Sequence, residues 1–252
     1  MSIDTSSPTR ADRPLRSANG FGAALRYEWT SLRTLRSTWV LSGIAVLLQL
    51  AYAPLSGGGS SSTGLDEFES GLGIAELIGA VLIAAIGVNA FGSEYRHRTI
   101  EVTALTLRSP TRIVLAKSAV TAGIAAVTGL LAVLVDWLGT LTFGGKMPDP
   151  GPAATAGLGA IAYLVLSGII GVALAGLTRH AVLALGAILL WTGGLEALLG
   201  GKLHLPEAAM PFLAAKQGII TSEPQWYLGL PLVGLTAVLL VGAIAVFSRR
   251  DT

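Results

Sequence analysis

Residues 153–177 read AATAGLGAIAYLVLSGIIGVALAGL, twenty-five positions without a single charge. At 1.5 Å of rise per residue an α-helix of this length is about 37 Å long, enough to cross the hydrocarbon core of a bilayer. Thr178, Arg179 and His180 follow, and then a second apolar run, 181–199, interrupted only by Glu196. A soluble helical hairpin needs a polar face on each helix. Neither run has one, so the pair reads as two membrane spans joined by a tight three-residue turn.

The rest of the chain fits that reading. Of its 252 residues 52% are hydrophobic and only 13% charged, and its mean hydropathy is +0.67. Soluble domains carry about 25% charged residues, and a fold this poor in charge could not cover its surface in water. The apolar runs predict spans at 39–55, 72–92, 112–134, 153–177, 181–199 and 227–247. The fold class expected is an all-α integral membrane protein: six transmembrane helices, an N-terminal interfacial amphipathic helix and a short cytoplasmic coupling helix. The expected organisation is a disordered cytoplasmic tail (1–19), the interfacial helix (20–38) and the six-span domain (39–252), with the coupling loop at 93–111. No secretory leader is expected, because the first apolar run begins near Trp39 after a polar, Arg-containing leader.

Lys and Arg set the expected orientation. With the N-terminus inside, fourteen fall inside: Arg10, Arg13, Arg16, Arg26, Arg33, Arg36, Arg96, Arg98, Arg108, Arg112, Lys117, Arg179, Arg249 and Arg250. Only Lys146, Lys202 and Lys216 fall outside, which accounts for all seventeen. The reversed topology places nearly all of them on the wrong side. The loop 56–71 carries Asp66, Glu67 and Glu69 and no basic residue, as an outer loop would.

In residues 21–39, Phe21, Leu25, Trp29, Leu32, Leu35 and Trp39 recur at helical spacing. Arg26, Glu28, Arg33 and Arg36 fall between them. This predicts a helix lying on the cytoplasmic membrane surface with its Trp and Leu face in lipid and its charges in water.

The loop after the second span, residues 92–117, is the most charge-dense part of the middle of the chain. Its signs are mixed, so it is no plain polybasic tether. Glu94, Arg98 and Glu101 share a helical spacing, with Glu94 and Arg98 in the favourable i,i+4 order. Ser109-Pro110 ends that helix, and Arg112 and Lys117 are expected to anchor the next span at the headgroups. The pattern Glu94-x-Arg96…Thr99, followed by Pro110-x-Arg112 and Lys117, resembles the cytoplasmic loop of ABC-2-type transporter permeases. The layout of an amphipathic N-terminal helix, six spans and cytoplasmic ends resembles that family too. The second half of the chain shows no family motif.

The resemblance implies a permease subunit of an ATP-binding cassette exporter at the bacterial plasma membrane. It would pair with a second permease subunit as a homo- or heterodimer. Glu94, Arg96, Arg98, Thr99, Glu101, Pro110 and Arg112 would dock a separate ABC ATPase, and ATP and Mg would sit on that partner. No cofactor is expected on this chain. Gly144-Gly145-Lys146-Met147 and Gly200-Gly201-Lys202-Leu203 look like P-loop endings, but neither has Ser or Thr after its Lys or the earlier Gly in place. The absence of cysteine excludes thiol catalysis and Cys-ligated metals. The scattered His97, His180 and His204 make a poor metal site, no Ser/His/Asp set shares one depth, and nothing predicts a nucleic-acid partner. The competing readings are, from a different class, a non-transporting membrane anchor or immunity-type protein and, behind it, an ion-coupled secondary transporter.

Glu76, Asp136 and Glu196 lie in or at the ends of apolar runs, all towards the outer side. They form either an acidic rim on the transport path or end-of-helix carboxylates reaching the headgroups, and the second is preferred because terminal acids are cheap. Asn89, nearer the inner end of span two, is a further transport-path candidate or a helix–helix hydrogen-bonding group.

Overall fold

A computed structural model describes residues 21–56, 63–97, 110–144, 147–196, 198 and 210–248. The described chain is helical and contains no strand. In order it comprises α1 (Phe21–Thr34), α2 (Arg36–Ser56), α3 (Gly64–His97), α4 (Pro110–Gly139), α5 (Pro150–Thr178), α6 (Ala181–Leu190), α7 (Pro211–Ile219) and α8 (Leu230–Ser248). One turn of π-helix, Thr140–Gly144, continues α4; another, Trp191–Leu195, continues α6; a 3-10 turn, Trp226–Gly229, leads into α8.

Three of these segments are long and apolar enough to cross a membrane: Thr111–Phe143, Pro150–Thr178 and Trp226–Ser248. Two bent pairs add up to two more. Phe21–Thr34 and Arg36–Tyr52 meet at 70°, and Gly64–Gly73 and Leu77–Gly92 at 40°. The chain is therefore a membrane-embedded helical protein with three to five candidate spans. The expected fifth span, 181–199, differs in kind: ten residues of α-helix, about 15 Å long, pass into the π-turn at Trp191. The helix of span two also starts earlier than expected. Residues 64–71, read from sequence as part of an outer loop, belong to α3, whose 34 residues bend by 40° between Gly73 and Leu77. Thr63 and Asp66 start it reciprocally: the Thr63 N–H donates to Asp66 Oδ2 at 2.9 Å and the Asp66 N–H to Thr63 Oγ1 at 3.2 Å. That is a capping box with Asp in place of Glu.

The uncharged stretch 153–177 is the middle of the bundle. It forms α5, which packs on α3, α4, α7 and α8. Glycine makes this possible by letting backbones touch. Gly171 of α5 faces the Ala84 carbonyl of α3, and Gly87 of α3 faces the Gly168 carbonyl of α5; a Cβ at either glycine would collide with backbone. Gly159 meets the Ile219 carbonyl of α7 in the same way. The small residues of α4 are divided. Gly129 lies against Ile161 and Leu164 of α5, whereas Gly123 faces open space.

The turn after α5 is as tight as expected. Arg179 takes the left-handed conformation (φ 57°, ψ 10°), and its N–H closes the helix on the Ala175 carbonyl at 2.9 Å. It does so as a residue with a Cβ, in the place glycine usually fills.

Several contacts fix which helix ends lie together. At one end, Glu28 of α1 meets Lys117 of α4, Lys117 meets Ala90 of α3, Phe91 stacks on Phe247 of α8, and Gly176 of α5 lies beneath both rings. At the other, Gln49 of α2 meets Asp136 of α4, Glu69 of α3 meets Ser222, and α7 lies on α5. The C-terminal end of α3, the start of α4, the Arg179 turn and the ends of α1 and α8 therefore share one end of the bundle.

Candidate functional site

The base of the charged loop is built around Lys117. Pro110 occupies the first position of α4, where its missing N–H costs nothing. Two turns on, Lys117 is fully buried. Its ammonium lies 2.9 Å from Glu28 Oε2 and donates to the Ala90 carbonyl at 2.9 Å. It also sits 5.0 Å from the centre of the Phe91 ring, an attractive placement over a π face. The Phe91 and Phe247 ring centroids are 5.4 Å apart at 26°. One ammonium thus ties α1 and α3 to α4, and the Phe91 ring extends the contact to α8.

Two expectations are corrected here. Lys117 does not anchor its helix at the headgroups; it is sealed inside the protein. Glu28 does not lie on a watery face either. The inward face of α1 is Ala24, Glu28 and Leu32, one residue per turn, while Trp29, Tyr27 and Phe21 are exposed. An unpaired charge could not stay there. A Lys–Glu pair can, because each charge supplies what the other lost on leaving water.

The proposed docking residues are distributed around this base. Glu94 and Arg96 fall on the last turn of α3, so the helix runs unbroken from the bundle into the loop; their side chains lie outside the described residues. Arg98, Thr99 and Glu101 lie outside the described residues altogether. Arg112 is exposed on the first turn of α4. The loop is thus flanked by the last turn of α3 on one side and, on the other, by α4, which Lys117 ties to α1 and α3.

The candidate path residues do not come together. Asp136 is buried in α4, its Oδ1 accepting from Gln49 Nε2 of α2 at 2.6 Å, and Oδ2 has no hydrogen-bond partner among the described residues. Gly71 of α3 presses on this carboxylate with no room for a side chain. Glu196 is buried as well. Its carboxylate accepts from the Phe212 N–H (3.1 Å), the Leu213 N–H (2.6 Å) and the Trp191 indole N–H (2.7 Å), satisfying the free amides at the N-terminus of α7. Both acids therefore point into the protein and neither reaches headgroups, which corrects the preferred reading of these two. Asn89 is half-buried at the far end of α3. The side chain of Glu76 lies outside the described residues.

Sequence reasoning missed three partners: Glu28, Lys117 as a buried group, and Gln49. The first two are 89 residues apart and the Gln49–Asp136 pair 87, so no local periodicity links them. Among the described residues no group of three His, Asp or Glu could hold a metal. No protein-family model matches the chain, and no curated protein matches its sequence.

Proposed function

We propose that the chain is the membrane-spanning permease subunit of an ATP-binding cassette exporter, working with a separate ATPase at the plasma membrane. The observation that supports this best is the base of the charged loop. Two long helices enter a loop rich in both signs of charge, and a buried ion pair fixes their ends to α1. Mixed charge confers orientation and partner selectivity, and a rigid base lets force applied to the loop reach the bundle instead of being absorbed by it.

The sidedness of the contacts favours the same reading. The ends of α1 and α8, the C-terminal end of α3, the start of α4 and the Arg179 turn share one end of the bundle, and these are the Arg-rich segments. That end is cytoplasmic by the positive-inside rule, and an even number of crossings then separates α1 from the end of α8. In this scheme the six-span count takes α6 with its π-turn as one crossing. A second permease subunit completes the transport path.

The ATPase binds Glu94, Arg96, Arg98, Thr99 and Glu101. Closure of the ATPase pair on ATP moves the loop, α3 and α4 move with it, and Lys117 obliges α1 to follow. The test is co-purification of the detergent-solubilised chain with its ATPase, comparing wild type with Glu94→Arg and Arg98→Glu. Reduced recovery of the ATPase in each variant, with normal membrane insertion, is the expected result; undiminished recovery in both would remove the reading's main support.

A further inference from the structure

We infer that the groove between α2 and α4 is a binding site for an anionic phospholipid, one acyl chain lying along the groove and its phosphate held by Arg33 and Arg36. The groove encloses about 430 Å³. Trp29, Trp39, Gly43, Leu47, Gly123 and Leu131 are among the residues that line it.

Its dimensions suit one leaflet. From Trp39 to Leu47 on α2, and from Gly123 to Leu131 on α4, the helices rise about 12 Å. Half of a hydrocarbon core is about 15 Å. The walls offer an occupant almost nothing polar. Their two hydroxyls, Ser42 and Thr128, pair with one another at 3.2 Å, and Thr128 also donates to the Ile124 carbonyl. An occupant must therefore be apolar along its length. Two glycines of the lining face this open space; a Cβ on Gly43 or Gly123 would meet nothing within 4 Å.

The headgroup chemistry follows from α1. It meets α2 at 70° beside the groove, and the Trp39 indole N–H donates to the Arg33 carbonyl at 2.9 Å. That bond places Arg33 and Arg36 at the tryptophan end. Both are exposed, as is Arg26. The single acid of α1 and α2 is Glu28, and it is consumed by Lys117. The mouth of the groove thus presents cations with no competing carboxylate on α1 or α2. Arginine beside indole rings, above an apolar slot one leaflet deep, is complementary to a lipid phosphate on an acyl chain.

The test is native mass spectrometry of the full chain, delipidated in detergent and given equal phosphatidylglycerol and phosphatidylcholine. One phosphatidylglycerol should be retained per chain, with about a tenfold preference over phosphatidylcholine. Gly43→Leu with Gly123→Leu should abolish retention without lowering the melting temperature, since both side chains enter open space. Arg33→Gln with Arg36→Gln, both at exposed positions, should still retain one lipid but lose the preference. An unchanged preference in the arginine variant, or unchanged retention in the leucine variant, overturns the site. A wild type that is dimeric, and that the leucine variant turns monomeric with its lipid unaltered, overturns it too by making the groove the seat of a second copy of the chain.

Discussion

Lys117 and Glu28 meet at 2.9 Å with both side chains closed off from solvent. Removing one member of a buried pair strands the other charge, at a cost of about 3–5 kcal/mol. Lys117→Met and Glu28→Gln should each lower the melting temperature of the solubilised protein substantially. The double variant Lys117→Met with Glu28→Leu should recover much of that loss, because no charge remains to be stranded. Equal damage in the double and single variants would mean that the pair does not act as a unit.

Glu196 makes a sharper case than its place in an apolar run suggests. Its carboxylate accepts two backbone N–H groups of α7 and the Trp191 indole. Glu196→Ala should destabilise by about 1–3 kcal/mol, since buried donors lose their acceptor. Glu196→Gln retains one acceptor oxygen and should fall between. Thermal unfolding followed by intrinsic fluorescence checks the order Glu, Gln, Ala. An alanine variant as stable as wild type would show that the cap contributes nothing.

Arg179 sits at φ 57° without being glycine. A β-branched residue there is strained by about 1–2 kcal/mol, so Arg179→Val should lower the melting temperature, whereas Arg179→Gly should leave the turn between α5 and α6 intact. A valine variant indistinguishable from the glycine variant would contradict the left-handed turn.

The proposed sidedness can be read directly, because the chain has no cysteine to give background. Cysteines at Ser62 and Met147 should react with an impermeant maleimide on intact cells. Cysteines at His97 and Arg179 should react only after permeabilisation. Labelling at His97 in intact cells would reverse the proposed topology.

What the sequence made legible was what solvent preference alone decides. Spans predicted at 112–134, 153–177 and 227–247 fall within Thr111–Phe143, Pro150–Thr178 and Trp226–Ser248, because an uncharged run has one outcome in lipid. The turn at Arg179 was legible because three residues leave no alternative. The extension of α3 back to Gly64 was signalled by Thr63-x-x-Asp66, a cap that a polar loop reading passes over. The polar pairs were not legible. Glu28 lies among arginines in a helix with an evident apolar face, and local patterning assigns it to water. Only the arrival of Lys117 from another helix makes its burial tolerable. Gln49 and Asp136 likewise become partners only once α2 and α4 pack.

The proposal stands or falls on whether the loop between α3 and α4 touches an ATPase. A photo-crosslinking amino acid placed at Glu101, with one at Met147 on the opposite end as control, tests this in native membranes labelled with a photoreactive ATP analogue. The account predicts a covalent adduct that carries the nucleotide label from Glu101 and none from Met147. No nucleotide-labelled adduct from Glu101, or equal adducts from both positions, would contradict it.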